Sequence, residues 1–225
     1  MNNEFDNPYE NALDGLEIKD PVSEFFNFCK EREKIRKKRE KKEAFPWSND
    51  TIFQNGRFLN VFREDDRVSK SIIKFANRYK QNLPLLVQAL FFARWCNKQE
   101  VIESISNDIF TNKRLFTEKV KSFKQWCNVN AYPVESINWE DQEYSRFDSA
   151  LELFNDIKNP LVDLICNADG NVIVATNTVN KKFKMKNDFP IFMAIIDIAW
   201  FRPDIINPNS PVPTGIGAVA FLNRL

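Results

Sequence analysis

Apolar positions recur along this chain mostly at helical spacing. From Pro21, a residue suited to a first helical turn, Val22, Phe25, Phe26, Cys29 and Ile35 keep that period. FPWSND (45–50) reads as a turn that anchors aromatics, and a helix is expected from there up to Lys80, with Asn82 and Pro84 marking its break. LPLLVQALFFARWC (83–96) is apolar on most faces, the pattern of a buried core helix. Phe116, Val120, Phe123 and Cys127 follow i, i+4, i+7, i+11, and Phe147, Leu151, Phe154 and Ile157 mark a further helix. Asp169-Gly170 is a turn, and the NVIVAT after it suits either a short strand or a helix. Asp188 can cap a last apolar helix, IFMAIIDIAWF, with Pro190 in its first turn. No repeat or linker divides the sequence. The expectation is a mainly α fold, one helical domain over 21–225, behind an acidic, weakly ordered arm at 1–20.

Composition fits that picture. Twenty-one Phe and five Trp against five Gly favour packed helices over a turn-rich sandwich, and 43% hydrophobic content supplies a core. A net charge of +1 points to no partner, but its distribution does. Residues 1–28 hold seven carboxylates and one lysine, whereas KEREKIRKKREKKE (30–43) holds nine basic and four acidic residues. That run is either a solvated helix laced with i,i+4 pairs or a phosphate-contacting one, with Lys37, Lys38 and Arg39 at its centre.

The chain has no histidine. Ser–His–Asp and Cys–His catalysis, His-ligated metals and a histidine base are thereby excluded. Cys29, Cys96, Cys127 and Cys166 form no CxxC pair, and each lies among apolar residues, as small buried thiols of a reducing compartment do. No GxxxxGK[ST] is present, which argues against a nucleotide P-loop. No signal peptide is read at the acidic start, and the apolar run at 191–201 is too short to span a bilayer.

Three features stand out as candidate chemistry. NGRFLNVFREDDR (55–67) gathers arginines and carboxylates around Phe58, Val61 and Phe62. A helix extended through it sets Asp65 in the middle of a stripe of Val61, Val68, Ile72, Phe75, Ala76 and Tyr79, where a carboxylate must be paired or protonated. Alternatively Asp65 or Asp66 caps a helix starting near Arg67. Asp197 is the second misfit, the one charge between Asp188 and Arg202, and is either a structural ion pair or a carboxylate tuned to take a proton. The third is PVPTGIGAVAFL (211–222), where Gly215 and Gly217 suit a hairpin meeting a phosphate, or a plain turn into a helix.

FFNFCKEREKIRKKRE, PWSNDTIF and GRFLNVFREDDR, in this order, resemble the helical proteins of bacteriophage thymine hypermodification. These are the alpha-glutamyl/putrescinyl thymine pyrophosphorylases, or amino acid:DNA transferases, and the related helical domain that accompanies 5-hydroxymethyluracil DNA kinases. FARWCN, FPIFMAIIDIAW and TGIGAVAFL resemble later blocks more loosely, so the resemblance runs from about Phe25 onward.

It implies a DNA-glycosylase-like fold, with the glycine hairpin in the place of a helix–hairpin–helix element. The implied reaction transfers an amino acid or polyamine onto phosphorylated or pyrophosphorylated 5-hydroxymethyluracil in DNA. Arg57, Asn60, Arg63 and Arg67 would then bind the phosphate leaving group or the base. Glu64, Asp65, Asp66 and Asp197 would be candidates for the base and for orienting the amine. Lys37, Lys38, Arg39, Gly215 and Gly217 would meet the DNA backbone. No metal and no cofactor is expected, and the setting would be the cytoplasm of an infected bacterium. The alternative is a non-catalytic DNA-binding partner of a 5-hydroxymethyluracil DNA kinase, and a DNA glycosylase is the third reading. Enzyme and partner separate on whether Asp197 and the Arg63–Arg67 cluster line one pocket.

Overall fold

The structure, a computed structural model, describes residues 20–56, 60–130 and 136–213. The 1–20 arm up to Lys19, Arg57, and the hairpin glycines Gly215 and Gly217 lie outside the described residues. The fold is mainly helical, as the patterning predicts. Its contacts group into two compact units, residues 1–66 with 213–225, and residues 67–212.

The first unit is built on α1 (Pro21–Glu40). Asp20 caps it by accepting from the Ser23 amide at 3.0 Å, and Pro21 takes the first turn, where its missing N–H costs nothing. The helical period of α1 is as read, but the apolar positions are not buried. Val22, Phe25 and Phe26 stand half or more exposed, and no α1 residue is buried. A short α2 (Thr51–Asn55) follows, capped by Asp50, and lays Phe53 against Phe28 of α1 with ring centres 5.2 Å apart. The expected long helix up to Lys80 is broken. Arg63–Asp65 form a single 3-10 turn, and helix resumes only at Arg67. Asp65 is therefore off the apolar stripe into which a continuous helix would have drawn it.

The second unit is arranged around α4 (Leu83–Cys96), buried from Leu86 to Cys96. Asn82 caps its start by accepting from the Leu85 amide, and Asn97 ends it in the left-handed region, φ +44. Against it pack α3 (Arg67–Asn77), α10 (Lys158–Cys166) and α12 (Phe189–Phe201), while α11 (Val172–Phe183) lies on α12. Asn171 caps α11 by accepting from the Ile173 and Val174 amides, which settles NVIVAT as helix. Asp188 holds the N-cap position of α12 but makes no side-chain capping bond.

Smaller elements complete this unit: α5 (Gln99–Glu103), α6 (Asn107–Thr111) and α7 (Lys113–Lys121). Phe123 and Cys127 fall beyond the end of α7 rather than on it. Strands β1 (Ile137–Trp139) and β2 (Gln142–Tyr144) pair antiparallel around Glu140 and Asp141. Between α8 (Arg146–Asp148) and α9 (Phe154–Asp156), Ser149–Leu153 form a π-helical turn, closed by the Phe154 amide on the Ser149 carbonyl. Of the four thiols Cys96 and Cys127 are buried and Cys29 half-buried, but Cys166 is exposed, because it falls on the outer side of α10. No helix among the described residues is long and apolar enough to cross a membrane.

The core is aromatic. Phe91, Phe92, Trp95, Phe110, Phe116, Phe154 and Phe183 are fully buried and meet largely edge to face, as ring quadrupoles favour. Inside it lies one ion pair. Arg94 of α4 donates through Nε and Nη2 to both carboxylate oxygens of Asp197 on α12, at 2.5 and 3.0 Å. The two side chains are 3% and 9% exposed. Removing one partner strands a buried charge, so Asp197→Ala should cost about 3–5 kcal/mol in urea-melt stability. Arg94→Met combined with Asp197→Leu should recover most of that loss. A loss below about 1 kcal/mol for Asp197→Ala would contradict a structural role for the pair.

Candidate functional site

In the first unit the charge run of α1 closes largely on itself. Glu31 pairs with Lys34, and Glu33 with both Arg36 and Lys37, at 2.7 to 3.4 Å. Arg36 also reaches Glu40 at 2.6 Å and Asp65 at 3.2 Å. Three carboxylates around one guanidinium push its pKa still higher, Glu33 contributing most. Pairs along a helix surface contribute about 0.3–0.5 kcal/mol each, so together they keep a highly charged segment helical.

Of the lysines and arginine proposed for the DNA backbone, Lys37 is exposed, while Lys38 and Arg39 hold the turn after the helix. Lys38 Nζ donates to the Trp47 carbonyl at 2.7 Å, and the Arg39 guanidinium stands 5.3 Å over the Trp47 ring. Trp47 Nε1 donates to the Glu43 carbonyl, and the buried Ser48 hydroxyl donates to Glu31 at 2.8 Å. PWSND is thus a clasp fastened to α1. Beyond it Asn60 is exposed, Arg63 and Glu64 are half-buried in the 3-10 turn, and Asp66 is exposed at the position before α3.

In the second unit, Arg67 lines a cavity of about 440 Å³ at the junction of α3, α4 and α5. It shares that lining with Asn97, Lys98, Glu100 and Glu103. Glu103 accepts from the Ser71 hydroxyl at 2.7 Å and from Gln99 at 2.9 Å, and these bonds hold its carboxyl below the usual range. Glu100 is held low chiefly by Lys98, whose Nζ lies 3.0 Å away and also donates to the Gln125 carbonyl. Beneath, the Cys96 thiol donates to the Trp126 carbonyl, and burial pushes its pKa up to about 12. Such a thiol is protonated at neutral pH and is no nucleophile. Asp197 does not line this cavity. Asp65 and Asp197 each meet an arginine of their own unit, Arg36 and Arg94. Among the described residues no group of three or more His, Cys, Asp or Glu could hold a metal ion.

Sequence reasoning singled out Asp197 but missed Arg94, although the signal was the same. Arg94 is the lone charge of an apolar helix, and two such helices with opposite lone charges are natural partners. Asn97 and Glu103 were also missed. Asn97 could have been found as the residue that ends a core helix without a glycine, since asparagine tolerates the left-handed region best after glycine.

Residues 20–225 match the family model described as "5-hmdU DNA kinase, helical domain". No curated protein and no solved structure matches the chain.

The clasp should respond to acid. Ser48 lowers the Glu31 pKa and Arg36 lowers that of Glu33, from an ordinary 4.5. Depressed carboxylates contribute stability that is complete above the ordinary value and lost as pH falls through the folded one. The Trp47 emission, isolated by subtracting a Trp47→Phe spectrum, should hold steady from pH 7 to about 5 and shift red below 4.5. Ser48→Ala should move the midpoint upward, and a transition near pH 6 would count against these contacts.

Proposed function

This chain belongs to the family of the helical domain of 5-hmdU DNA kinases, and from that membership we propose that it is a DNA-engaging helical module working beside a phosphorylating enzyme. The family ties the chain to thymine hypermodification in DNA. In the proposed role it binds DNA carrying 5-hydroxymethyluracil and presents it to the kinase, without performing group transfer itself.

One observation carries the choice. Amine transfer needs a carboxylate able to accept a proton beside a cationic clamp for the leaving phosphate. Asp197, one of the four candidate carboxylates, is instead gripped by both prongs of Arg94 inside the core. A carboxylate so held and buried is shielded from any incoming amine. Asp65, another of the four, is tied to Arg36. The basic C-terminal half of α1, with Lys34 and Lys37 exposed, supports contact with a phosphate backbone.

A second reading, transfer of an amino acid or polyamine onto the activated base, draws on the cavity at α3–α5. There Arg67 and Glu103 face the same space, a cation for a phosphate and a carboxylate for an amine.

One experiment reads both. The chain is incubated with duplex containing 5-hydroxymethyluracil, ATP and a 5-hydroxymethyluracil DNA kinase. Separately, it is incubated with phosphorylated duplex plus glutamate, glycine or putrescine, and both are digested to nucleosides. The module should lower the kinase KM for DNA several-fold and yield no new nucleoside alone. A conjugated nucleoside would overturn the module in favour of transfer, and failure to bind DNA would overturn both. Lys37→Gln, which leaves the Trp47 clasp intact, should flatten the slope of log K against log salt by about 0.9.

A further inference from the structure

The sequence KVKSFKQW (119–126) alternates lysines with aromatics, and the function proposed above leaves it unused. It covers the end of α7 and the turns after it. Lys119 Nζ stands 5.5 Å from the centre of the half-buried Phe123 ring, and Lys124 beside it is exposed. A groove of about 630 Å³ runs here, lined by Lys98, Phe123, Lys124, Gln125 and the half-exposed Val129. Among the described residues no carboxylate lines it. Lys98 and Gln125 also line the neighbouring 440 Å³ cavity, so the two spaces adjoin.

In that cavity Asn97 is 9% exposed, and its carboxamide has no hydrogen-bond partner among the described residues. The carboxamide belongs to a residue lining the cavity and is available to a polar ligand there. Its adjacent donor and acceptor match the imide edge of a pyrimidine, which offers N–H beside C=O.

We infer that this groove binds an unpaired DNA strand. Lys119 and Lys124 meet its phosphates, Phe123 and Val129 pack against a base, and Asn97 reads the edge of a neighbouring thymine-type base. Base faces are open to an aromatic side chain only when the strand is unpaired, and this favours a single strand over duplex. The inference rests on the DNA-module reading and deepens it, by naming the surface and the form of DNA it takes.

Fluorescence anisotropy of the full chain with labelled oligo-dT, and with duplex containing 5-hydroxymethyluracil, tests it. The single strand should bind at least ten-fold more tightly than the duplex. Phe123→Leu keeps apolar volume but removes the ring, and should weaken single-strand binding by roughly five-fold or more. Lys119→Gln and Lys124→Gln should each flatten the single-strand salt slope by about 0.7. Asn97→Gly keeps the left-handed backbone and should weaken binding to oligo-dT but not to an abasic strand. If the single strand binds no tighter than the duplex, or if its affinity is unchanged in every variant, the groove assignment fails while the module stands. If neither form of DNA binds, the module reading itself fails.

Discussion

The second unit depends on a charge that cannot be left alone. Arg94 and Asp197 lie in two strongly apolar helices, and each would be costly to bury without the other. Their attraction adds little net stability beyond what two well-packed aliphatic side chains would supply. What the pair does is penalise alternatives. Rotating α12 by one residue would carry Asp197 about 100° away from Arg94 and strand both ions. The aromatic core supplies the adhesion, and phenylalanines can slide past one another at modest cost. The ion pair removes that freedom and selects one register of α12 on α4.

This division of labour bears on function. A carboxylate enclosed as a structural counter-ion is closed to an incoming nucleophile. Asp65 is likewise taken up by Arg36, where three acids surround one cation. What remains available for recognition is polar and open: the outer face of α1, the cavity beside Arg67, and the lysine–phenylalanine groove. Those features suit holding a charged polymer more than activating a small nucleophile.

The legible parts of the sequence were those where one signal dominated. LPLLVQALFFARWC reads as helix because nothing interrupts it and Asn82 caps it. At 55–67 two readings stood side by side: the continuous helix fails because Val61 only happens to match the period of α3 across the 3-10 turn at Arg63–Asp65, whereas the helix start near Arg67 is where α3 begins. The hairpin at 137–144 left no trace at all. Its two-residue loop places Glu140 and Asp141 at φ +49 and +62, a conformation usually announced by asparagine or glycine. The exposed aromatics of α1 follow a sound helical period, but period cannot reveal whether anything covers a face. Pairings across distant segments, such as Arg94 with Asp197, depend on topology that local pattern does not contain.

The π-helical turn at Ser149–Leu153 has a consequence for how this chain can vary in length. A π turn holds one residue more than the α-helical turn it replaces. It is the mark of a residue accommodated without breaking the helix on either side. Deleting the exposed Glu152 should let regular helix close again with little change of phase downstream, because the wider turn absorbs the extra residue. Phe154 and Ile157, both buried, would keep facing the core. The bulge therefore works as slack in the chain: the segment can lose one residue here and still hold its hydrophobic face in phase with α4.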